Sequence, residues 1–382
     1  MPYDVLILGG GASALMCVGH LKKSLSLAIV DNNAKLAVKV KISGGGKCNI
    51  TSVDVSPANF DGDKSLVSYA LDVFSKEDLL NFLEKNKLSP VIRKKRYYFC
   101  RDSSDEIINI LKRNSSHADI KLKTLVEEVK KVDEIFEVKT SSGIMKAKNL
   151  IVATGAKSFK NLGATEVGLD IAKSFDIKVK EFTPALVGMT LQPAQGWMKE
   201  LSGLSCYVHI EVDEKVLQED MLFAHKGISG PAVLSASLYW KKGNISINFL
   251  PNDTIERLIK GSKKLLSSVI PLPKRLSKAL LKAIDVDDRE CSKITSSEKE
   301  KLKNIHAYTF APAGNFGFSK AEVSRGGVLA EELVFQTLES KKIDNLYFIG
   351  EVVDVTGELG GYNFQWAFSS AVVCAKALNK RE

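Results

Sequence analysis

The chain has 382 residues, of which 45% are hydrophobic and 26% are charged, a balance typical of ordinary globular proteins. No apolar run approaches the roughly 18 residues that a membrane-spanning helix needs, so we expect no such helix. The length predicts two or three structural units, because single cores stop growing at about 250 to 300 residues.

The formal net charge of +9 arises mostly from lysines spread along the chain, and we interpret it chiefly as a solvated surface. The alternative is an electrostatic footprint for nucleic acid. The densest basic stretches are Arg93–Arg96, followed by the aromatic residues Tyr97–Phe99, and Lys260–Lys282. Basic residues beside aromatic ones are what a single-strand platform needs, so the first stretch keeps the nucleic-acid alternative open.

Six cysteines are scattered along the chain without a C-x-x-C pair or a flanking histidine. This spacing predicts reduced thiols, no disulfide framework and no metal site. A strand of the buried type begins within the first few residues, so we expect no signal peptide and a cytoplasmic protein. The cysteines are Cys17, Cys48, Cys100, Cys206, Cys291 and Cys374.

The first predicted element is an apolar strand, Asp4–Leu8, which breaks into the glycine turn Gly9–Ala14 before a helical pattern begins. Strand, glycine turn and helix form the geometry of a dinucleotide pyrophosphate site, because glycine lets the backbone approach the phosphates and helix amides point at them. A simple reversal of the chain is the alternative. A second apolar strand, Leu27–Val30, ends in Asp31, which follows Gly11 by about 20 residues, the spacing of a carboxylate that binds a ribose diol.

A triple glycine, Gly44–Gly46, follows the second strand. Glycine loses too much backbone entropy for this stretch to be an ordinary helix or strand interior. It is either a flexible loop or a second backbone cradle for a phosphate or a flat ring, and the flanking Ser43, Lys47 and Asn49 favour the cradle. We interpret Cys48 as a small packing residue rather than a redox thiol, because no partner cysteine is near it in the sequence.

Residues 55–120 are predicted to form peripheral helices around a short strand region. Over Leu122–Lys148 the hydrophobic period changes to two, which predicts a β-meander. Two later apolar strands, Asn149–Val152 and Leu346–Ile349, each end in a glycine turn. Because their apolar character is continuous, we expect a parallel sheet buried on both faces, with the glycine turns gathered at one edge.

The segment between these two strands predicts an inserted domain at residues 182–320. Its first part, residues 182–252, alternates polar and apolar residues and is punctuated by glycine and proline, which predicts a small β-barrel. Its second part, residues 253–308, has leucines and isoleucines at helical spacing with lysines on the other face, which predicts helices. We therefore expect a first domain at residues 1–181 that residues 321–382 complete.

Four motifs together resemble a known family. Besides the opening glycine turn, they are Lys41–Thr51, Ala153–Ala156 and the segment Gly350–Ala367, which contains the string Gly360–Ala367. Their combination resembles the BaiN-like (YhiN-like) flavoproteins, also described as aminoacetone-oxidase-family FAD-binding enzymes. The resemblance covers essentially the whole chain, and the second and last motifs are far more specific than the opening turn.

The resemblance implies an α/β fold: a two-part Rossmann-type FAD-binding domain with a parallel sheet and a β-meander, plus an inserted domain of small β-barrel and helical bundle. Carried over by position, the opening turn holds the pyrophosphate, Asp31 the adenosine ribose and Val126 the adenine, through its backbone. The amides that open the last helix lie near the flavin pyrimidine edge, where a helix N-terminus stabilises negative charge. Arg325 departs from the family's pattern. The implied cofactor-binding residues are Gly9, Gly11, Ala12, Ser13, Ala14, Asp31, Asn32, Lys39, Ser43, Gly44, Gly45, Gly46, Cys48, Asn49, Val126, Ala153, Thr154, Gly155, Gly327, Gly350, Glu351, Asp354, Gly360, Gly361, Tyr362, Asn363 and Gln365.

The resemblance also implies an FAD-dependent oxidoreductase that transfers a hydride between flavin N5 and a small organic substrate. NAD(P)H and O2 are the candidates for the second partner. No residue stands out as the acid or base, and the candidates are His225, Tyr362 and Lys47. The other histidines show no spacing that would suit a metal.

Two other classes of function stay open. The first is an RNA-directed flavoprotein of the tRNA-modifying type, because such enzymes share the FAD fold and this chain is basic. A small molecule is nevertheless the favoured partner over nucleic acid, and we expect no membrane partner. The second is a flavin-binding sensor without turnover. Family activities span amine oxidation and the reduction of a steroid enone, so substrate, reaction direction and oligomeric state stay open.

Overall fold

The computed structural model describes residues 1–381. The chain divides into two compact units: a first unit of Met1–Thr183 and the chain from Val323 onward, and an inserted unit of Pro184–Glu322. The sequence analysis expects the insert at residues 182–320. Among residues 1–381, no helix combines the length and the apolar character needed to cross a membrane.

Twelve α-helices and twenty-three β-strands lie within residues 1–381. The helices are Ala12–His20 (α1), Val38–Gly46 (α2), Lys64–Val73 (α3), Lys76–Lys85 (α4), Asp105–Asn114 (α5), Val167–Ser174 (α6), Pro231–Tyr239 (α7), Ile255–Ile259 (α8), Leu266–Val269 (α9), Lys274–Ala283 (α10), Ser296–Leu302 (α11) and Tyr362–Arg381 (α12). The strands are Tyr3–Leu8 (β1), Leu27–Val30 (β2), Asn49–Ser52 (β3), Phe60–Gly62 (β4), Val91–Arg93 (β5), Tyr97–Phe99 (β6), Asp119–Lys121 (β7), Val126–Val132 (β8), Ile135–Thr140 (β9), Gly143–Val152 (β10), Val179–Ala185 (β11), Met189–Thr190 (β12), Ser205–Val212 (β13), Lys215–Ala224 (β14), Gly227–Ser229 (β15), Ile245–Asn248 (β16), Tyr308–Phe310 (β17), Gly314–Asn315 (β18), Val323–Val328 (β19), Leu333–Val334 (β20), Glu339–Ser340 (β21), Leu346–Phe348 (β22) and Val355–Gly357 (β23).

The core of the first unit is a mixed sheet with the strand order β20-β21-β22-β10-β1-β2-β7. Strand β1 pairs in parallel with β10 and with β2, and β10 pairs in parallel with β22. Leu6, Ile7 and Leu8 of β1 are 0% exposed, as expected for a strand covered on both faces. Helices α1 and α12 pack against each other beside this sheet. The α/β class and the buried parallel sheet are confirmed.

Strand β10 differs from the prediction because it is continuous over Gly143–Val152. Its first half pairs antiparallel with β9, as the third strand of the predicted meander. Its second half is the central parallel strand, which the sequence analysis separates at Asn149. Exposed residues alternate in the first half and give way to uninterrupted burial in the second, so one strand leaves solvent and enters the core.

The inserted unit is built on an antiparallel sheet with the order β17-β16-β13-β14-β15-β12-β18. Val208, Ile210, Met221 and Phe223, from the central hairpin β13–β14, are 0% exposed and belong to one hydrophobic core with residues of α10. The hydrogen-bonded order ends at β17 and β18 within the described chain, so closure into a barrel stays a prediction. Helices α8, α9, α10 and α11 occupy the part predicted to be helical, and their arrangement as a bundle also stays a prediction.

Candidate functional site

The turn after β1 brings two strand ends together and leaves open space at the start of α1. Gly9 has a φ angle of +103°, and a Cβ there would lie 2.4 Å from the carbonyl oxygen of Ala153, just beyond β10. A Cβ on Gly11, by contrast, would meet no atom within 4 Å. Gly11 is the N-cap residue of α1, and no side chain caps the amides of the first turn. Uncapped amides beside open space form an anion-binding geometry.

Asp31 lies at the end of β2, next to this turn. Its Oδ2 accepts a hydrogen bond from the Gly10 amide at 2.6 Å, and its Oδ1 accepts one from the Asn33 amide at 2.7 Å. The Asp31 carbonyl accepts a hydrogen bond from the Thr124 amide, two residues before Val126 at the start of β8. The structure therefore brings together the residues predicted for the ribose and the adenine.

The triple glycine forms a second turn at the end of α2. Gly44, Gly45 and Gly46 have φ angles of +56°, +66° and +82°, and helical geometry is lost from Ser43 onward. The prediction that this stretch is no ordinary helix interior is confirmed. A Cβ on Gly44 would lie 2.9 Å from the ring of Phe99, whereas Gly45 and Gly46 face open space. One side of the turn is therefore packed and the other is free to receive a ligand.

Cys48 follows this turn directly and is 0% exposed. Burial raises the pKa of its thiol to about 12, despite a hydrogen bond with Ser43 that lowers it. The thiol therefore stays protonated at neutral pH and is not a thiolate nucleophile. This burial supports the interpretation of Cys48 as a packing residue.

Lys39 and Glu351, both implied by the resemblance, form an ion pair. Their Nζ and Oε2 atoms are 2.7 Å apart, and the two side chains are 33% and 21% exposed. The other carboxylate oxygen of Glu351 accepts a hydrogen bond from the Ser324 amide at 3.0 Å. A Cβ on Gly155 would lie 3.7 Å from Oε2 of Glu351. Helix α2, the turn after β10 and the segment after β22 therefore meet at one place.

The segment after β22 also reaches the start of α1. A Cβ on Gly350 would lie 2.6 Å from Oγ of Ser13. The Gly350 amide donates to Oγ of Ser370 at 3.0 Å, and its carbonyl accepts from Nε1 of Trp366 at 3.0 Å. Two side chains of α12 thus hold Gly350 against the first turn.

Gly327 and Asp354 lie next to each other near this segment. A Cβ on Gly327 would lie 2.6 Å from the Asp354 amide nitrogen. The Asp354 carboxylate is 3.1 Å from Nζ of Lys180, so it is already paired. Arg325, which departs from the family's pattern, pairs with Asp61, and the two side chains are 11% and 24% exposed.

Two further glycines precede α12 and pack against segments from the first hundred residues. A Cβ on Gly361 would lie 2.7 Å from the Thr51 backbone, and one on Gly360 would lie 2.7 Å from the Tyr97 ring. Their φ angles are +89° and +140°, so an L side chain would be strained at either position. The return segment therefore packs its backbone directly on β3 and β6.

The side chains that follow these glycines hold the turn itself. Asn363 exchanges two hydrogen bonds of 2.9 Å with the backbone of Gly357. Gln365 is 0% exposed, and its Oε1 accepts a hydrogen bond from Oγ1 of Thr51 at 2.8 Å. Both side chains are already engaged by the protein, and the Gln365 amide donates a hydrogen bond to the Gly361 carbonyl at 3.0 Å.

The three acid or base candidates lie in different surroundings. Tyr362 is 0% exposed, and its hydroxyl has no hydrogen-bond partner within residues 1–381. Lys47 is half-buried directly after the triple glycine. His225 is exposed in the two-residue turn between β14 and β15, in the inserted unit. The structure thus places two of the candidates in the first unit, near its glycine turns.

Several residues of this region were not among the predicted ones. Gly10 belongs to the opening motif, and a Cβ there would lie 2.4 Å from the Leu36 side chain. Gly163 packs on the Asn33 amide, and its carbonyl accepts a hydrogen bond from Nδ2 of Asn32 at 3.1 Å. The signal for Gly10 was its place in the motif, whereas no local pattern marks Gly163.

These residues fit an extended dinucleotide. Open space lies beside the uncapped start of α1 and beside Gly45 and Gly46, and Asp31 stands between the first turn and β8. Oγ1 of Thr154, at the end of β10, is buried and has no hydrogen-bond partner within the described residues. In the same part of the chain, no group of three or more His, Cys, Asp or Glu side chains is arranged to hold a metal ion.

Comparison with known proteins identifies a family and relatives that match almost the whole chain. The HI0933-like protein Rossmann domain family matches residues 3–377. A ribosomal RNA dihydrouridine synthase of Haemophilus influenzae is 36% identical, and one of Escherichia coli is 32% identical, each over 98% of both chains. A 3-dehydro-bile acid delta(4,6)-reductase of Clostridium scindens is 25% identical, again over 98% of both chains.

Two solved structures share the fold at low sequence identity. Quinol fumarate reductase of E. coli matches with a TM-score of 0.52 and 14% identity, covering 100% of this chain and 70% of that one. A 3-ketosteroid dehydrogenase of Rhodococcus jostii matches with a TM-score of 0.50 and 11% identity, covering 98% and 97%. At these identities the likeness concerns the fold alone. The family match and the full-length relatives confirm the predicted resemblance, and the chain belongs to the HI0933-like family as an FAD-dependent oxidoreductase.

Proposed function

We propose that the protein reduces a carbon–carbon double bond conjugated to a carbonyl, and that its substrate is a uridine of ribosomal RNA. The observation that carries the proposal is that two relatives, aligned over 98% of both chains, share the name ribosomal RNA dihydrouridine synthase. The net charge of +9 supports a polyanionic substrate. The proposal therefore favours what the sequence analysis holds as its second function.

One reaction type accounts for the differently named relatives. The C5=C6 bond of uracil is conjugated to the C4 carbonyl, and the bile-acid reductase is named for double bonds at the 4 and 6 positions. When bound and reduced by two electrons, FAD would supply the hydride that the far carbon of such a system takes up. The carbon next to the carbonyl then takes a proton, which the chain must provide or conduct. The two electrons come from NAD(P)H, which we propose as the reductant.

In this proposal, different residues of the first unit bind the cofactor and donate the proton. The open space beside Gly11 and Gly45 supports an approach of the cofactor to their backbone, and we assign Asp31, at the end of β2, to the ribose. For the proton we favour Lys47, because it is half-buried directly after the second turn and an ammonium can donate. Tyr362 is the second candidate, because its buried hydroxyl lacks a partner within residues 1–381.

The test uses the FAD-loaded protein with NADH or NADPH and unmodified ribosomal RNA transcripts. We expect dihydrouridine at a defined position, measured by mass spectrometry of the digested RNA. A Lys47→Gln variant should retain FAD and its reduction by the nicotinamide but form dihydrouridine at least about tenfold more slowly, as expected for a lost general acid. Lys41→Gln is the matched control, because it removes a lysine from the preceding helix α2, where the Lys41 side chain is exposed.

A second candidate function is the reduction of a small conjugated enone, which the 25% identical bile-acid reductase supports. Turnover of a steroid enone without any change in RNA would favour it over the first proposal. FAD that neither nicotinamide reduces would instead contradict both proposals and support a sensor without turnover.

A further inference from the structure

The first unit carries a basic hairpin between α4 and α5. We define it as residues 91–99, in which β5 and β6 pair with Arg93 opposite Tyr97. Arg93, Lys94 and Lys95 are exposed, and Arg96 is half-buried. Four consecutive cations thus occupy the end of one short hairpin.

The turn of this hairpin is unusual for lysine. Lys94 and Lys95 have φ angles of +50° and +55°. Glycine and asparagine adopt this left-handed conformation at lower cost than a long side chain does. Lysines at both positions therefore make the turn less stable than glycine or asparagine would. They place two positive charges at the tip of the hairpin.

The aromatic residues of the basic hairpin connect it to the candidate cofactor site. The Phe99 ring packs on Gly44 of the second glycine turn, and the Tyr97 ring packs on Gly360 before α12. Strand β6 also pairs with β3, which leaves that glycine turn. Since a strand rises about 3.3 Å per residue, the tip lies only roughly 10 Å along the hairpin from these glycines.

Both arginines of the hairpin lie over aromatic rings of the same hairpin. The Arg93 guanidinium lies 5.0 Å from the centre of the Phe99 ring, and that of Arg96 lies 5.4 Å from the Tyr97 ring. Such contacts hold the guanidinium groups flat against apolar surface, where phosphates can reach them. We propose that the basic hairpin binds the phosphodiester backbone of single-stranded RNA and guides a flanking nucleotide toward the cofactor site. This inference rests on the proposed function for its choice of RNA.

The test is direct binding, measured without turnover. The probe is a fluorescein-labelled single-stranded oligoribonucleotide of about 12 nucleotides, within the usual site size of single-strand binders. The variant is Lys94→Asn/Lys95→Asn, because asparagine removes the charge and accepts the left-handed backbone. We expect affinity for the probe to fall by about tenfold near physiological salt, and the salt slope to decrease by about 1.4, since each phosphate contact adds about 0.7.

The matched control is Lys278→Gln/Lys282→Gln, which removes the same charge from the exposed face of α10 in the inserted unit. It should leave the probe affinity and the salt slope close to those of the unmodified protein. The flavin content and melting temperature of both variants should be unchanged, which excludes unfolding as the cause of a loss.

The outcomes separate this inference from the proposed function. Hairpin-dependent binding without dihydrouridine formation would support the RNA surface and remove the proposed reaction. Dihydrouridine formation by a Lys94→Asn/Lys95→Asn variant with unchanged affinity and salt slope would overturn the RNA surface alone. Equal losses in both double variants, or hairpin-dependent binding to phosphatidylserine vesicles without binding to the probe, would also overturn it.

Discussion

The two units use glycine in different ways. In the first unit, glycines that pack tightly stand next to glycines that face open space: Gly9 near Gly11, and Gly44 beside Gly45. In the inserted unit, the tightest glycine is Gly227, which lies inside an antiparallel strand pair and serves the sheet itself. The comparison teaches that the first unit places tightly packed and open glycines side by side within one turn. The inserted unit has a hydrophobic core formed by its antiparallel sheet and helices.

The largest expected effect is a loss of stability when Gly9 is replaced by alanine. The left-handed φ angle and the 2.4 Å approach to the Ala153 carbonyl together should lower the free energy of unfolding by roughly 3 kcal/mol or more. Urea unfolding of the FAD-free protein measures this. Gly196→Ala in the inserted unit is the control, because its Cβ would meet no atom within 4 Å. Equal free energies of unfolding for the two variants would contradict the conclusion that Gly9 is required by its tight packing.

Gly11→Ala should separate cofactor binding from stability. The added methyl group enters open space, so urea unfolding of the FAD-free protein should be unchanged. The same methyl group lies where the backbone must approach a pyrophosphate, so the dissociation constant for FAD should rise by roughly 30-fold, about 2 kcal/mol. Calorimetric titration with FAD measures it, and an unchanged affinity would place the pyrophosphate elsewhere.

Alkaline pH should lower the free energy of unfolding of both units, because each contains a buried cysteine with a raised pKa. Burial raises the pKa of Cys48 in the first unit and of Cys206 in the inserted unit to about 12 each. The folded state thus holds these protons while the unfolded chain releases them from about pH 8.5, so their stability contribution is complete below that pH and declines as the pH rises toward 12.

The slope reaches at most about 1.4 kcal/mol per pH unit for each thiol. Urea unfolding between about pH 8 and 10.5 measures it, and Cys48→Ala or Cys206→Ala should each remove one share of the slope. If neither substitution reduces the slope of the free energy of unfolding against pH, other titrating groups cause the loss of stability at alkaline pH.

The smallest effect is expected for the ion pair of Lys39 with Glu351. Lys39→Gln removes a half-buried partner, and we expect the free energy of unfolding to fall by about 1 kcal/mol after allowance for solvent screening. Lys41→Gln, on the same helix, breaks a pair with Asp105 that is more exposed and should be indistinguishable from the unmodified protein. If Lys41→Gln lowered the free energy of unfolding more than Lys39→Gln does, the exposure of an ion pair would not determine its contribution to stability.

Local patterns predicted most of the sheet in the first unit. Strands β1, β2 and β22 are short runs of continuous apolar residues ended by glycine or aspartate, and such runs are buried wherever the chain folds. The continuity of β10 was missed, because the change from alternating to continuous burial at Asn149 looks like an interruption in the sequence but requires none in the backbone.

Contacts between segments that are distant in the chain could not be predicted from the sequence. Lys39 and Glu351 were both implied by the resemblance, but 312 positions separate them and nothing local predicts their pairing. In the same way, Tyr97 and Phe99 were marked as part of a basic and aromatic stretch, while their packing on Gly360 and Gly44 depends on the pairing of β3 with β6. A local sequence pattern can indicate residues with suitable chemistry. It cannot predict which distant segments come together to form the site.

The packing of Gly350 on Ser13 and of Gly361 on Thr51 has a consequence for synthesis of the chain. Translation delivers the opening glycine turn first and its closing partners only after the whole inserted unit has been made. The earlier segments must therefore persist as an incomplete sheet, lacking β22 and α12, while the inserted unit has all its strands. The candidate cofactor site is thus complete only after the last segments have been made, so bound FAD would stabilise the finished protein rather than early folding intermediates.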